Sequence, residues 1–180
     1  ISASTRCTEV RLMGLQNLDI TSTMLHIGAQ LKTDKRIIAF CKERFPGEEL
    51  HVLVGDITRK YIPTYDDTPY VIVTDFSKQE GQNIEFCPYE FTLWVGVGKE
   101  EPEFIEADGV KIMDAFKDCA DFMTIIEDVF NDAEINNRPC AKVITNGPFP
   151  IDPAGRHWAG KIKVNKRIYQ TLGGNYTEEL

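Results

Sequence analysis

The sequence predicts an α+β fold with a mainly antiparallel sheet, and two strand patterns in its middle are the main reason. Residues 70–73 are apolar throughout, as in a strand that is covered on both faces. Residues 87–98 alternate apolar and other side chains, which is typical of a half-buried strand. A long amphipathic pattern then predicts a helix packed on one face of the sheet. We therefore expect a long central hairpin, this helix, and an N-terminal helix or helices.

The second strand of the hairpin has two distinct faces. We expect its apolar face to contact the core, and this face consists of Cys87, Tyr89, Phe91, Leu93, Val95 and Val97. The opposite face carries Glu90, Thr92, Trp94, Gly96 and Gly98. Trp94 is compatible with a core position or with an interface, because aromatic residues are enriched in both.

Two apolar stretches predict the N-terminal helical region. Residues 24–31 carry apolar side chains at helical spacing, and Thr33 or Asp34 can cap a second segment over residues 37–45. Pro46 and Gly47 end that segment. The pattern leaves open whether one helix or two form here.

The long helix is predicted over residues 108–130, with Asp108-Gly109 at the point where it could begin. Its two sides differ clearly in polarity. The apolar side consists of Ile112, Met113, Phe116, Cys119, Ala120, Met123, Ile126 and Phe130. The side expected to face away consists of Asp114, Lys117, Asp118, Asp121, Glu127 and Asp128.

The remaining segments predict short strands and one irregular loop. Residues 50–54 and 142–144 are candidate strands, and residues 157–169 predict a final strand. Residues 147–156 hold three prolines and two glycines, which predicts an ordered loop with little regular structure. We expect an N-terminal arm over residues 1–22, a single domain over 23–170 and a polar tail over 171–180.

Composition excludes several classes of function. The 180 residues carry a net charge of −8, which argues against a general nucleic-acid binder. The five cysteines are dispersed without CxxC spacing, which argues against a disulfide framework or a zinc site. No segment approaches the roughly 18 apolar residues of a membrane span, so no membrane partner is expected. No cofactor is predicted.

No catalytic or metal-binding motif is recognisable, so the sequence predicts a protein that is not an enzyme. The three histidines, His26, His51 and His157, stand outside any GxSxG or HExxH context. The acidic pairs lack the offsets of an EF-hand loop. Gly96-Val97-Gly98 lacks the remainder of a phosphate-binding loop.

Two segments are candidates for contact with other proteins. The connection over residues 77–84 is too long for a tight turn and should protrude; its polar candidates are Ser77, Lys78, Gln79, Glu80, Gln82 and Asn83. The last strand places Lys161, Lys163 and Arg167 on one face. These residues could block unwanted strand pairing, or they could contact an acidic partner such as another copy of this chain.

A family resemblance rests on three motifs and their order. These are TPYVIV, YEFTLWVGVG and HWAGKIKV, with a long helix between the last two. Over residues 24–169 the chain resembles the tail-completion and tail-terminator proteins of long-tailed phages and gene transfer agents. In that family a PYVIV-like strand and a Y-x-F-x-L-x-V strand precede a helix that packs on the sheet. The extra N-terminal stretch and the proline-rich loop leave terminator, neck and head-completion subfamilies open.

The resemblance implies a structural protein of the virion, assembled in the host cytoplasm and located at the head-proximal end of the tail. Such proteins form a ring, commonly a hexamer, that ends polymerisation of the tail tube and docks the head-completion or connector protein. The implied partners are other copies of this chain, the tail tube protein and that connector. DNA would pass through the lumen without specific binding, as an acidic lining permits.

A second hypothesis places a ligand-binding or enzymatic site under the loop at residues 147–156. Asp152, Arg156 and His157 would supply its polar groups. A deep pocket with convergent polar side chains would support it. A third hypothesis is an adaptor that binds a host or regulatory protein without forming a ring.

Shortening the connection at residues 77–84 should spare folding and impair assembly, because a protruding polar segment contributes to contacts rather than to the core. Circular dichroism would monitor folding, and native mass measurement would monitor assembly. A shortened chain that assembles normally would contradict the interface role of this segment.

Overall fold

The computed structural model describes residues 20–55, 63–78, 86–131, 134–135, 138–139 and 141–169. Three helices and nine strands form within these ranges, together with a 3-10 turn at Tyr65–Asp67. In chain order they are α1 (Ile20–Thr33), α2 (Lys35–Arg44), β1 (His51–Val54), β2 (Tyr70–Lys78), β3 (Phe86–Gly98), β4 (Phe104–Ala107), β5 (Val110–Met113), α3 (Asp114–Asn131), β6 (Glu134–Ile135), β7 (Arg138–Pro139), β8 (Ala141–Pro150) and β9 (His157–Tyr169).

Five strands form one sheet in the order β1-β2-β3-β9-β8. The β1–β2 pair is parallel, and the other three pairs are antiparallel. Strand β3 lies at the centre, paired with β2 on one side and with β9 over its whole length on the other. The predicted α+β class and the central hairpin of β2 and β3 are thus confirmed.

Three helices cover the same face of this sheet. The alternation of the strands explains why, because the buried side chains of Phe91, Leu93 and Val95 on β3 and of Ile162 and Val164 on β9 all point to that face. Helix α3 contacts β3, β8 and β9, while α1 contacts β1 and β2 and α2 packs against α3. The buried side chains that meet in this core include Leu31, Ile37, Val71, Val73, Phe91, Leu93, Val95, Phe122, Met123, Ile126, Phe130, Ile162 and Val164.

The N-terminal helical region consists of two helices. Asp34 separates them, because it has an extended backbone and its side chain accepts hydrogen bonds from the backbone N–H groups of Arg36 and Ile37. This is N-cap geometry, and it starts α2 directly after α1 ends. Helix α1 begins at Ile20, so residues 20–22 of the predicted arm belong to it. Residues 1–19 and the predicted tail at 171–180 lie outside the described residues.

The predicted start of the long helix is wrong. Asp108 and Gly109 both have positive φ, 51° and 75°, and form the two-residue turn of a hairpin between β4 and β5. Ile112 and Met113 therefore lie in β5, and helix α3 begins only at Asp114. Asp118, expected to face away from the sheet, is buried.

The predicted irregular loop at residues 147–156 is also partly wrong. Strand β8 continues through Gly147 to Pro150 after a bulge between Asn146 and Phe149. Gly147 has a φ of 113°, a conformation that glycine adopts without strain. Only residues 151–156 form the connection to β9.

Phe91→Asp or Leu93→Asp should abolish folding, because both side chains are fully buried at the centre of the sheet and an unpaired charge there is very costly. The matched control is Ile144→Asp, since Ile144 is 53% exposed on edge strand β8 of the same sheet. Thermal unfolding followed by circular dichroism should show a cooperative transition for the control alone. A cooperatively melting Leu93→Asp chain would contradict the assignment of this face to the core.

Candidate interaction surface

The sheet face opposite the helices is the candidate interaction surface. In the described ranges, none of the three helices packs on it, because their buried side chains all belong to the core on the other face. By register, Trp94 lies beside Lys161, and Thr92 lies beside Lys163 on the adjacent strand. Trp94 is half-buried and both lysines are partly exposed, whereas Ile72, Thr74 and Thr92 on the same face are buried. We call this surface the open face.

The lysines of the open face have acidic neighbours within the chain. Lys161 Nζ lies 3.8 Å from Asp75 Oδ2 and 5.4 Å from the centroid of the Trp94 ring. Lys163 Nζ lies 2.8 Å from Glu90 Oε1. Because these ion pairs are exposed, each contributes little to stability. The open face therefore presents paired charges around an aromatic ring instead of a uniformly basic strip.

The other predicted contact residues fall into three groups. Arg167 pairs through its backbone with Pro88, at a register position on the same face as Lys163. Ser77 and Lys78 belong to β2, because this strand continues past an irregularity at Asp75, where φ is 50°. Gln79, Glu80, Gln82 and Asn83 lie outside the described residues.

The polar residues of the second hypothesis do meet at the start of β9. Arg156 Nε donates a 3.0 Å hydrogen bond to Asp152 Oδ2, and the His157 backbone N–H donates one of 3.0 Å to Oδ1. The buried His157 ring places Nε2 3.1 Å from the hydroxyl oxygen of Tyr70. The guanidinium of Arg156 lies 5.0 Å from the centroid of the Tyr65 ring. These side chains are therefore bonded to one another, and the contact between His157 and Tyr70 links β9 to β2.

The protonation of this cluster follows from its surroundings. Burial lowers the pKa of His157, although the negative charges of Asp152 and Asp67 act in the opposite direction. Desolvation opposes the charge of Asp152, but hydrogen bonds from the His157 backbone and from Arg156 together outweigh it and lower the pKa of this carboxyl. A neutral His157 beside the Tyr70 hydroxyl is suited to a structural hydrogen bond. Among the described residues, no group of three or more His, Cys, Asp or Glu could hold a metal ion.

An ion cluster around the buried Asp118 joins α2, α3 and Lys99, which directly follows β3, and sequence reasoning missed it. Asp118 lies 2.8 Å from Lys99 Nζ and 3.5 Å from Arg44 Nη1. Lys99 Nζ also lies 2.8 Å from Asp114 Oδ2. Oδ2 of Asp118 makes no hydrogen bond of good geometry, so its contact with Lys99 is an ion pair by distance alone.

The ion cluster fixes the base of the β4–β5 hairpin. Asp114 Oδ1 accepts hydrogen bonds from the backbone N–H groups of Glu103, at 3.0 Å, and Ala115, at 2.7 Å. Burial opposes charge on Lys99, but the two aspartates outweigh it and raise its pKa. Desolvation likewise opposes the charge of Asp114, but the hydrogen bond from Lys99 and the backbone donors lower its pKa.

The helical spacing of the sequence does indicate that Asp118 is buried. The buried positions of α3 recur at steps of three and four, and Asp118 occupies one of them. The stripe is complete only when it starts at Ala115 and includes Phe122 and Val129, so that it reads Ala115, Asp118, Cys119, Phe122, Met123, Ile126, Val129 and Phe130. Charged residues are almost never fully buried unless paired, so this position predicts a basic partner.

The chain matches no protein-family model, and no curated protein matches it. Within the described part of the chain, no helix combines the length and the apolar character that a membrane crossing requires.

Asp118→Ala should lower the free energy of unfolding by about 1–3 kcal/mol, because it removes the buried partner of Lys99 and Arg44. Asp121→Ala is the matched control on the same helix, since the Asp121 ion pair with Lys117 is partly exposed. The control should change stability by at most about 1 kcal/mol. Urea denaturation measures both values, and equal losses would contradict a special role for the buried cluster.

Proposed function

We propose that this chain is a structural subunit of a phage-like tail, which forms a ring at the head-proximal end of the tail tube. The observation that carries the proposal is the group of Trp94, Lys161 and Lys163 on the sheet face opposite the helices. Three helices close one face, while the open face presents Trp94 and paired charges to its surroundings. A surface of mixed charge around an aromatic ring is suited to contact with another protein.

The order of elements supports the same proposal. The motifs TPYVIV and YEFTLWVGVG form the central hairpin, the long helix follows, and HWAGKIKV lies in the final strand beside the hairpin. This is the order of the family that the sequence resembles. The proposed role is to stop polymerisation of the tube and to dock the head-completion or connector protein, with the virion as its site and no catalytic step.

Charge supports the proposed passage of DNA. A net charge of −8 in each subunit would be repeated in every copy of a ring. Lys161 and Lys163 do not reverse this, because Asp75 and Glu90 stand beside them. An acidic lining would repel the phosphate backbone and let DNA move without specific binding. Basic side chains lining the hole of an assembled ring would contradict this part of the proposal.

Two alternatives are kept for comparison. A neck or head-completion protein would use the same surfaces but would bind the connector and not the tube. The only observation that favours a ligand-binding or enzymatic domain is that Asp152, Arg156 and His157 lie in contact with one another. These groups are engaged with one another and with Tyr70, so this observation supports a structural junction better than a site for substrate.

The test is imaging of the purified chain with and without tail tubes. We expect rings with a central hole, bound to one end of each tube, and tubes that no longer elongate from the capped end. Lys161→Glu with Lys163→Glu should weaken capping at least about tenfold, because each change puts like charges side by side on the open face.

The matched control is Lys117→Glu, which removes an ion-paired lysine on helix α3, away from the open face. It should cap tubes like the unmodified chain. Tubes that keep elongating in the presence of the unmodified chain, without any chain at their ends, would refute the proposed function. Equal capping by the double variant and the control would refute the role of the open face.

A further inference from the structure

The β4–β5 hairpin exposes apolar side chains to solvent. Cross-strand partners share a face, so Ile105 and Ile112 lie on one face together with Val110. Val110 is 64% exposed, and Phe104, on the other face, is 67% exposed. A two-stranded hairpin is at best marginally stable in water, and clustered exposed apolar residues mark an interaction site. The hairpin is therefore suited to docking against another surface.

A groove of matching character lies beside helix α2. Its apolar walls are formed by Ile37, Ile38, Cys41 and Leu50, and its volume is about 290 Å³. Lysine and glutamate side chains surround the opening, namely Lys32, Lys42, Glu48 and Glu49. An apolar cavity of about 150 Å³ admits a group the size of benzene, so this groove has room for two aliphatic side chains. No residue of the hairpin lines it.

The hairpin and helix α2, which forms one wall of the groove, carry opposite net charge, although two lysines and two glutamates line the opening itself. Helix α2 contains four basic residues and one acidic residue, a net charge of +3. Residues 100–113, which include the hairpin, contain five acidic residues and one lysine, a net charge of −4. In a chain of net charge −8, this separation favours contact between the hairpin of one copy and α2 of another.

We propose that the β4–β5 hairpin of one copy docks in the α2 groove of the next copy. Val110 and Ile105 enter the groove, while Asp108 in the hairpin turn faces the basic residues of α2. Because the two surfaces differ, the contact is heterologous and repeats from copy to copy, which yields a ring where the rotation closes. The inference rests on the proposed function in so far as it supplies the contact between subunits of that ring.

Two single variants and their mixture test this contact. Val110→Asp damages the hairpin, and Ile38→Asp damages the groove; each alone should weaken self-association at least about tenfold, because each buries an unpaired charge in the contact. Mixed in equal amounts, the two should form a one-to-one dimer that grows no further. The intact groove of the Val110→Asp chain receives the intact hairpin of the Ile38→Asp chain.

Matched controls separate this contact from loss of folding. Leu25→Asp changes a residue that is 56% exposed on helix α1 outside the groove, and Lys117→Glu changes an ion-paired residue of α3 away from both the groove and the open face. Both should assemble like the unmodified chain. Light scattering and native mass measurement give the size of each species, and thermal unfolding confirms that every variant is folded.

Each outcome decides the proposal. An unmodified chain that stays monomeric at high concentration, a Val110→Asp chain that assembles like Leu25→Asp, or a mixture that forms no dimer would overturn it. These measurements use the isolated chain, whereas capping is measured on tail tubes. Capping that survives Val110→Asp would overturn the hairpin contact and leave the proposed function intact. Normal self-association of a chain that does not cap tail tubes would overturn the proposed function and leave the hairpin contact intact.

Discussion

The close contact between helix α3 and the central strands is the constraint on which the rest of the fold depends. Gly160 of β9 permits it, because a Cβ atom there would lie 2.1 Å from the sulfur of Met123. On the other side of the sheet, Gly96 leaves room for the Tyr70 ring, which would meet a Cβ atom at 2.0 Å. The two glycines thus allow the side chains of Met123 and Tyr70 to pack closely on opposite faces of the β3–β9 pair. The tight packing also determines which polar groups become buried.

Burial of Asp118 follows from that packing, since it shares the side of α3 that faces the core. Its partners Lys99 and Arg44 come from the end of β3 and from α2, so the ion cluster joins three elements that the hydrophobic core alone would not orient. A buried ion pair is weak evidence for stability, and its better-supported effect is specificity. Here it fixes the base of the β4–β5 hairpin and hence the direction in which the hairpin leaves the domain.

Much of the fold was predictable because alternation in β3 and β9 and the spacing in α3 are strong local patterns. The hairpin β4–β5 was missed because Ile112 and Met113 fit both a strand and the helical stripe, although Asp108-Gly109 favours a turn. The first part of β8 was predicted at residues 142–144, but its continuation through residues 147–150 was predicted as a loop because of its prolines, which an edge strand tolerates. The lysines of the open face were placed correctly, but Asp75 and Glu90 become their neighbours only through strand register.

The position of β9 between β3 and β8 has a consequence for folding during synthesis. The long edge of β3 gains its partner only after the hairpin, α3 and β8 have been made, because β9 is the last strand in the chain. Until then a nascent chain carries β2 and β3 with an unpaired edge, which is a template for association with other chains. Pairing over such a sequence distance is slow. Completion of the sheet is therefore a late event, and productive assembly has to wait for it.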